Sequence, residues 1–405
     1  MPWKVSDVWD ERVKFVMSAL RGDLPHSALC AAYGISRVAG YKWIERYQAG
    51  GLEALRDGSR ARHSQAHSMA AAVASSVLAL RRSRPSWGPK KLRAYLMARQ
   101  PELIWPAAST IGDLLCREGL VEVRRRERRL KGAARPPFAE AKDPNDVWCI
   151  DFKGWFRTSD GQRCNPLTVS DAVSRYLLGC EIVEPTTAGV APVCERLFRE
   201  HGLPWALRMD NGPPFASSGA GGLTRLAVSW IKLGIRLERI DPGCPQQNGR
   251  HERMHRTLKD DTSTPPAANV AEQQVRFDQF RQDFNEERPH EALGQVPPAS
   301  CHRPAARPYP ERIGDPWYDA DYQVRRVRTD GSIRLLGECI FISEALVGEV
   351  VGLAEQEGGW SVQFADLPLG LIDAKAKIFH RFAAPRPGRR KPVTTGESVN
   401  HVPGL

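Results

Sequence analysis

The chain has 405 residues, 41% of them hydrophobic and 26% charged, with a formal net charge of +11 and a pI near 9.3. That size allows roughly two to four domains, and an excess of Lys and Arg suits a polyphosphate partner. No run approaches the roughly 18 apolar residues of a membrane span, and the start MPWKVSDVWDERVK is charged where a signal peptide is greasy, so a location inside the cell and no membrane partner are expected. The nine cysteines are scattered and never spaced C-x-x-C, which indicates neither a disulfide framework nor a zinc ribbon.

In HSALCAAYGISRVAGYKWIERYQAGG the pattern predicts a short helix ending at Tyr33, a turn at Gly34, and a second helix capped by Ser36 and running to about Ala49. This is helix-turn-helix spelling. Val38, Tyr41, Ile44 and Tyr47 recur as a core stripe, leaving Arg37, Lys42 and Arg46 outward for phosphates or base edges. A second helical unit follows in SWGPKKLRAYLMARQPELIWPAASTIGDLLCREGLV, with one helix opened near Pro89 and carrying Lys90 and Lys91. Another is expected to be capped by Ser109, with Ile111, Leu114 and Leu115 inward. The polar stretch between the two units, holding His63 and His67, reads as a linker or minor-groove arm, and the arginine-rich 123–146 as a second linker along DNA phosphates.

From Val147 the pattern turns to strands. DVWCIDFKGWF, NPLTVSDAVSR and YLLGCEIV are successive strand candidates; helix APVCERLFREHG, strand WALRMD, helix LTRLAVSWIKLG and strand IRLERI follow, giving a mixed sheet flanked by helices. After a proline-rich stretch, short strands return with turns at Asp330-Gly331 and Gly358-Gly359. They predict a small closed β-barrel at 316–383, before a tail, 384–405, expected to be disordered. The remaining expected boundaries are 1–62 and 63–122 for the helical units, and 147–305 for the mixed sheet domain.

Three carboxylates stand out. Asp151 lies within a strand among Trp148, Ile150 and Phe152, where an acid needs a reason. Asp210 ends the strand WALRMD before Asn211-Gly212, at the carboxyl edge where α/β sheets place their sites. Glu252 lies on a later helix, and Arg256 and Lys259 follow it within about 40° of the same line around the axis, ready for phosphates. Each acid alone has a bland reading, as a cap, an Asx turn or a helix Glu paired with Arg256. Together they could supply the carboxylate oxygens of a Mg²⁺ site.

The pieces WCIDFKGWF, MDNGPPF, PGCPQQNGRHERMHRTLK and NEERPHEALGQVPP, with separations of 59 residues from 151 to 210 and 42 residues from 210 to 252, resemble the integrase-core transposases of bacterial insertion sequences, relatives of retroviral integrases. The resemblance extends over roughly residues 8 to 380. It implies a multidomain α+β chain with N-terminal helix-turn-helix domains, a ribonuclease H-like mixed α/β catalytic core and the C-terminal barrel. It also implies an Asp-Asp-Glu triad of Asp151, Asp210 and Glu252 holding two Mg²⁺ ions, with Mn²⁺ as a substitute and Asp151 shared between both. The substrates implied are transposon-end DNA and target DNA, cut by water and joined through a 3′-hydroxyl by in-line displacement. A homo-oligomer would synapse two ends, in the cytoplasm at the nucleoid. Whether an accessory ATPase takes part is open, and the alternative is a DNA-binding regulator built on an inactive core.

One spelling competes with this reading. His251-Glu252-Arg253-Met254-His255 is H-E-x-x-H, which on a helix can grip zinc and make a metalloprotease. Arg250, Arg253 and Arg256 crowd that would-be ion, and Pro265-Pro266 break the chain before Glu272. The zinc reading is therefore disfavoured, and His251 is expected to point some 100° away from Glu252, with His255 near the DNA-facing stripe.

Overall fold

The computed structural model describes residues 7–58, 69–121, 141–241 and 249–382. His63, His67, Cys244, most of the arginine-rich 123–146 and the tail from 384 lie outside the described residues. The chain divides into two compact units, 1–69 and 70–405.

In the first unit three helices run Val8–Arg21 (α1), His26–Ala32 (α2) and Arg37–Gly50 (α3). Ser36 caps α3, its Oγ accepting from the Ala39 N–H at 3.2 Å, and Gly34 takes φ +64° in the turn. The expected stripe on α3 is corrected by the packing. Val38 and Tyr41 are exposed at 79% and 61%, whereas Trp43, Ile44 and Tyr47 pack on Phe15, Val16, Leu29, Cys30 and Leu55. Gly40 explains the rotation: a Cβ there would meet Cys30 Sγ at 2.6 Å and the Phe15 ring at 3.0 Å, so its bare backbone lets α3 approach α1 and α2 closely.

The second unit opens with helices Ala71–Ser83 (α4), Pro89–Arg99 (α5) and Ala108–Arg117 (α6). Pro89 occupies the first turn of α5, where its missing N–H costs nothing. Ile111, Leu114 and Leu115 are buried as expected, but the residue before α6 is Ala107, so Ser109 lies inside the helix and is not its cap. The Arg81 guanidinium donates to the carbonyls of Trp87 and Leu120, tying α4 to both neighbours.

The central sheet comprises Val147–Phe152 (β1), Pro166–Asp171 (β4), Leu177–Ile182 (β5), Ala206–Met209 (β6) and Arg236–Arg239 (β7), with a short ribbon of Phe156–Arg157 (β2) and Arg163–Cys164 (β3) beside it. Its order is β5-β4-β1-β6-β7. β4 is antiparallel to both β1 and β5, whereas β6 is parallel to β1 and β7. Four helices accompany it: Thr187–His201 (α7), Arg225–Lys232 (α8), Gly249–Thr262 (α9) and Val270–Gln282 (α10).

Strand alternation decides which side is which. Trp148, Ile150, Leu167 and Val169 pack on Val190, Leu197 and Phe198 of α7 and Leu226 and Trp230 of α8. The opposite face, with Asp151 paired to Thr168 and Cys149 to Ser170 in register, lies toward α9 and α10, whose Met254, Leu258, Phe277 and Phe280 pack on Leu177 and Cys180. At the far edge Arg208 and Glu238, register partners on β6 and β7, form a buried ion pair at 2.9 Å.

Beyond the core come Tyr322–Arg326 (β8), Ser332–Leu335 (β9), Glu338–Phe341 (β10), Val350–Gln356 (β11), Gly359–Phe364 (β12), Leu367–Asp373 (β13) and Phe379–Arg381 (β14). They form an antiparallel sheet of order β14-β13-β12-β11-β8 and a separate pair, β9 with β10. The expected closed barrel is not what these pairings give: among the described residues β14 and β8 remain edges. The sheet instead buries Val351, Leu353, Val362, Phe364 and Leu369 against Ala227 and Val228 of α8. Thus α8 serves two cores, with Leu226 and Trp230 on one face and Ala227 and Val228 on another. Among the described residues no helix is long and apolar enough to cross a membrane.

Candidate active site

Asp151 projects from β1 on the α9 side. Burial pushes its carboxyl up to about 7, and the negative charges of Asp210 and Glu252 push it the same way, against a backbone hydrogen bond at Phe152. Asp210 and Glu252, selected from the sequence with Asp151, thus both act on it, although the three come from a strand interior, a strand end and a helix. Asp210 follows β6 directly, and its Oδ1 accepts from the Gly212 N–H at 3.1 Å. This Asx turn fixes the carboxylate just beyond the end of β6. Asn211, buried beside it, donates to the Ile240 carbonyl, while its Oδ1 has no hydrogen-bond partner among the described residues. Glu252 stands exposed in the first turn of α9.

Coupling is not coordination. Among the described residues no three His, Cys, Asp or Glu side chains stand close enough to hold a metal ion. The donor set nevertheless suits a hard cation: three carboxylates offer oxygens, and their mutual repulsion is what a divalent ion relieves.

The histidines of H-E-x-x-H do something else. His251 and His255 are 2% and 7% exposed and face β4. Thr168 Oγ1 lies 2.7 Å from His251 Nε2 and 2.6 Å from His255 Nε2, and within donating reach of the Asp151 carbonyl oxygen at 3.2 Å. Ser170 Oγ lies 2.9 Å from His251 Nδ1. A hydroxyl carries one hydrogen, so at least one imidazole must donate its Nε2–H to Thr168. Burial drives the imidazole of His251 down to about 3, and burial together with the charges of His251 and Lys153 drives that of His255 to about 2. Both are neutral near pH 7. The second nitrogen of His255 stands 4.0 Å from Asp151 Oδ2. Hence His255 is not part of an outward phosphate stripe; it is a buried post between α9 and the strand that carries Asp151.

The outward face of α9 is as expected in other respects. Glu252, Arg253, Arg256 and Lys259 are exposed while His251, Met254, His255 and Leu258 are buried. The helical period alone marks that buried stripe, since the four recur at i, i+3, i+4 and i+7; the zinc-like spelling drew attention away from it. Arg37 and Lys42 are exposed on α3, but Arg46 stacks on Trp43 at 4.8 Å and donates to the Arg56 carbonyl. Lys90 is exposed with its ammonium 2.8 Å from Glu291. Lys91 turns inward, where burial and the charge of Arg288 lower it to about 8. Around them Arg84 binds Glu287 at 2.7 Å and Arg99 binds the same carboxylate at 2.9 Å, so α4 and α5 dock on the acidic segment after α10. The sequence reading missed this docking, and Trp155 with Lys153 near Asp151.

Comparison with known proteins places the chain. Integrase core domain models match residues 141–245 and 233–298, a homeodomain-like model 39–115 and a helix-turn-helix model 11–63. An uncharacterized 31.7 kDa protein of insertion element IS407 from Burkholderia multivorans is 33% identical over 195 residues, 46% of this chain and 67% of that protein. An uncharacterized 39.2 kDa protein of insertion element IS476 from Xanthomonas euvesicatoria is 29% identical over 182 residues, 44% of this chain and 50% of that protein. The chain therefore spans between half and two thirds of these curated relatives. Among solved structures, the HTLV-2 integrase catalytic core domain in complex with magnesium aligns with 40% of this chain and 100% of its own, at 14% identity and a TM-score of 0.32. With helix-turn-helix domains ahead of a mixed five-stranded core that two integrase-core models match, and with that identity to the IS407 protein, the chain belongs to the integrase-core family of insertion-element proteins.

Proposed function

We propose that this protein is a DNA transposase that cleaves the phosphodiesters at transposon ends and joins the freed 3′-hydroxyls to target DNA, with Asp151, Asp210 and Glu252 as the catalytic acids. One observation carries this reading: Asp151, half-buried on β1, is held protonated up to about 7 by its partial burial and by the charges of Asp210 and Glu252. Nothing in the packing of a folded domain requires three acids from distant elements to burden one another. The burden makes sense where cations and phosphates arrive. Mg²⁺ or Mn²⁺, two ions per site, would be held by these carboxylates, and when bound such ions polarise phosphate oxygens and lower the pKa of water.

The chain's own residues then have distinct tasks. Asp151, Asp210 and Glu252 supply oxygens; His255 and Thr168 fix the height of α9 over β1; Arg256 and Lys259, on the exposed face after Glu252, meet strand phosphates. Arg37 and Lys42 on α3 meet end DNA, joined there by the exposed Val38 and Tyr41, which can contact a thymine methyl. In this reading the units 1–62 and 63–122 bind the ends, 147–305 is the catalytic core, 316–383 supports it through α8, and copies of the chain synapse two ends. The test is cleavage of the DNA that flanks its own coding sequence. Site-specific nicking that needs Mg²⁺ or Mn²⁺ and stops with a chelator supports the proposal. Specific binding without any cleavage or strand transfer in either metal leaves a DNA-binding regulator on an inactive core instead.

A further inference from the structure

Four residues beyond Asp151, Trp155 is 58% exposed, although tryptophan is costly to leave in water. It sits where β1 passes into the β2–β3 ribbon, and cations surround it. The guanidinium centre of Arg163 lies 4.8 Å from the indole centroid and that of Arg157 lies 5.8 Å away. Both arginines are anchored, Arg163 on the Asn165 side chain and Arg157 on the Gly161 carbonyl. Beside the indole opens a cleft of about 150 Å³, lined among others by Lys153, Trp155, Phe156, Pro166, Lys259 and Phe277. Two ammonium-bearing side chains from separate elements thus border one aromatic-walled hollow. Acids stand near as well: Asp151 and the exposed Asp260 both act on Lys153, while burial and the charge of Lys259 work against its ammonium, so a phosphate is the partner that would relieve the two lysines of each other.

We propose that this cleft is a nucleotide subsite that takes an unpaired nucleotide of a DNA strand, its base on the Trp155 indole and its phosphate against Lys153 and Lys259. An aromatic wall recognises a base by its π-face, which a base inside a duplex does not offer, so the occupant is a frayed or single-stranded end. The location fits the chemistry. Trp155 is at most about 14 Å of chain from Asp151, and Lys259 is about 10 Å along α9 from Glu252, so a strand lying over the acids runs into the cleft. The proposal rests on the transposase reading for its substrate, and adds a contact by which the protein separates strands at the site of reaction.

The test uses the full chain and a duplex with a short single-stranded overhang carrying 2-aminopurine, compared with the same duplex blunt. The wild type is expected to quench the 2-aminopurine and to prefer the overhang. Trp155→Ala is expected to lose the quenching and to bind the overhang about 5-fold or more weaker, with blunt binding unchanged, while Trp155→Phe keeps most of both. Equal quenching and equal overhang preference in Trp155→Ala and wild type would overturn the subsite, and this outcome says nothing against cleavage. Quenching that depends on Trp155 in a protein that cuts no DNA would keep the subsite and remove the transposase reading.

Discussion

Thr168 shows how much one hydroxyl can hold. Its Oγ1 serves His251 and His255 at once, and both imidazoles are buried, so removing it strands two ring nitrogens away from water. Thr168→Val, the same shape without the hydroxyl, is expected to lower unfolding stability by about 1 to 3 kcal/mol, whereas Thr168→Ser keeps most of it. Denaturant titration of both variants checks this; equal stability would mean that the α9 contact is apolar packing alone. Asp151 supplies a second prediction. Its folded pKa, about 7, is raised above the ordinary 3.8, so the unfolded chain releases the proton first. The metal-free fold therefore loses stability as pH rises from about 4 to about 7. A bound cation should restore it. Mg²⁺ is expected to raise the melting temperature more at pH 8 than at pH 5, and Asp151→Asn to abolish most of that difference; the same Mg²⁺ shift at both pH values would contradict the account.

At the scale of elements, the helix-turn-helix and the order of strands and helices were legible because both depend on local signals. Ser36 before α3, Gly34 in the turn and the apolar runs of β1, β4 and β5 all stand where the residues indicate. What was not legible depends on distance in space. The rotation of α3 comes from Gly40 lying against Cys30 and Phe15, and Lys91 turns inward because Arg288, Glu291 and Asp261 arrive beside it from the core. Barrel closure failed for a similar reason: strand length and turns say nothing of whether edges β14 and β8 meet. The split between units bears on recognition. Deleting residues 1–69 removes α3 with Arg37 and Lys42 but leaves α4 to α6 docked through Arg84, Lys90 and Arg99. Such a protein should bind DNA more weakly, with a steep salt dependence and a reduced sequence preference that rests on α4 to α6 alone. Unchanged end selectivity across a salt series would remove α3 from the recognition of DNA ends.

For the whole molecule, the acids and the supporting posts belong to one design. β1 brings Asp151 to the α9 face, β6 ends just before Asp210, and His251 and His255 fasten α9 so that Glu252 and the cations after it stand outside. The three acids could be singled out from residue type and spacing, since a charged residue in an apolar strand is conspicuous. The support beneath it could not, because Thr168 and Ser170 look like ordinary strand residues until α9 lies on them. The most direct measurement of the central claim is cleavage and strand transfer by Asp151→Asn, Asp210→Asn and Glu252→Gln beside wild type, with end binding followed in the same preparations. The account predicts that each substitution abolishes both reactions in Mg²⁺ while binding stays within about 2-fold of wild type, because the acids act on metal and phosphate and α3 acts on DNA. Robust Mg²⁺-dependent cleavage by any of the three would contradict it.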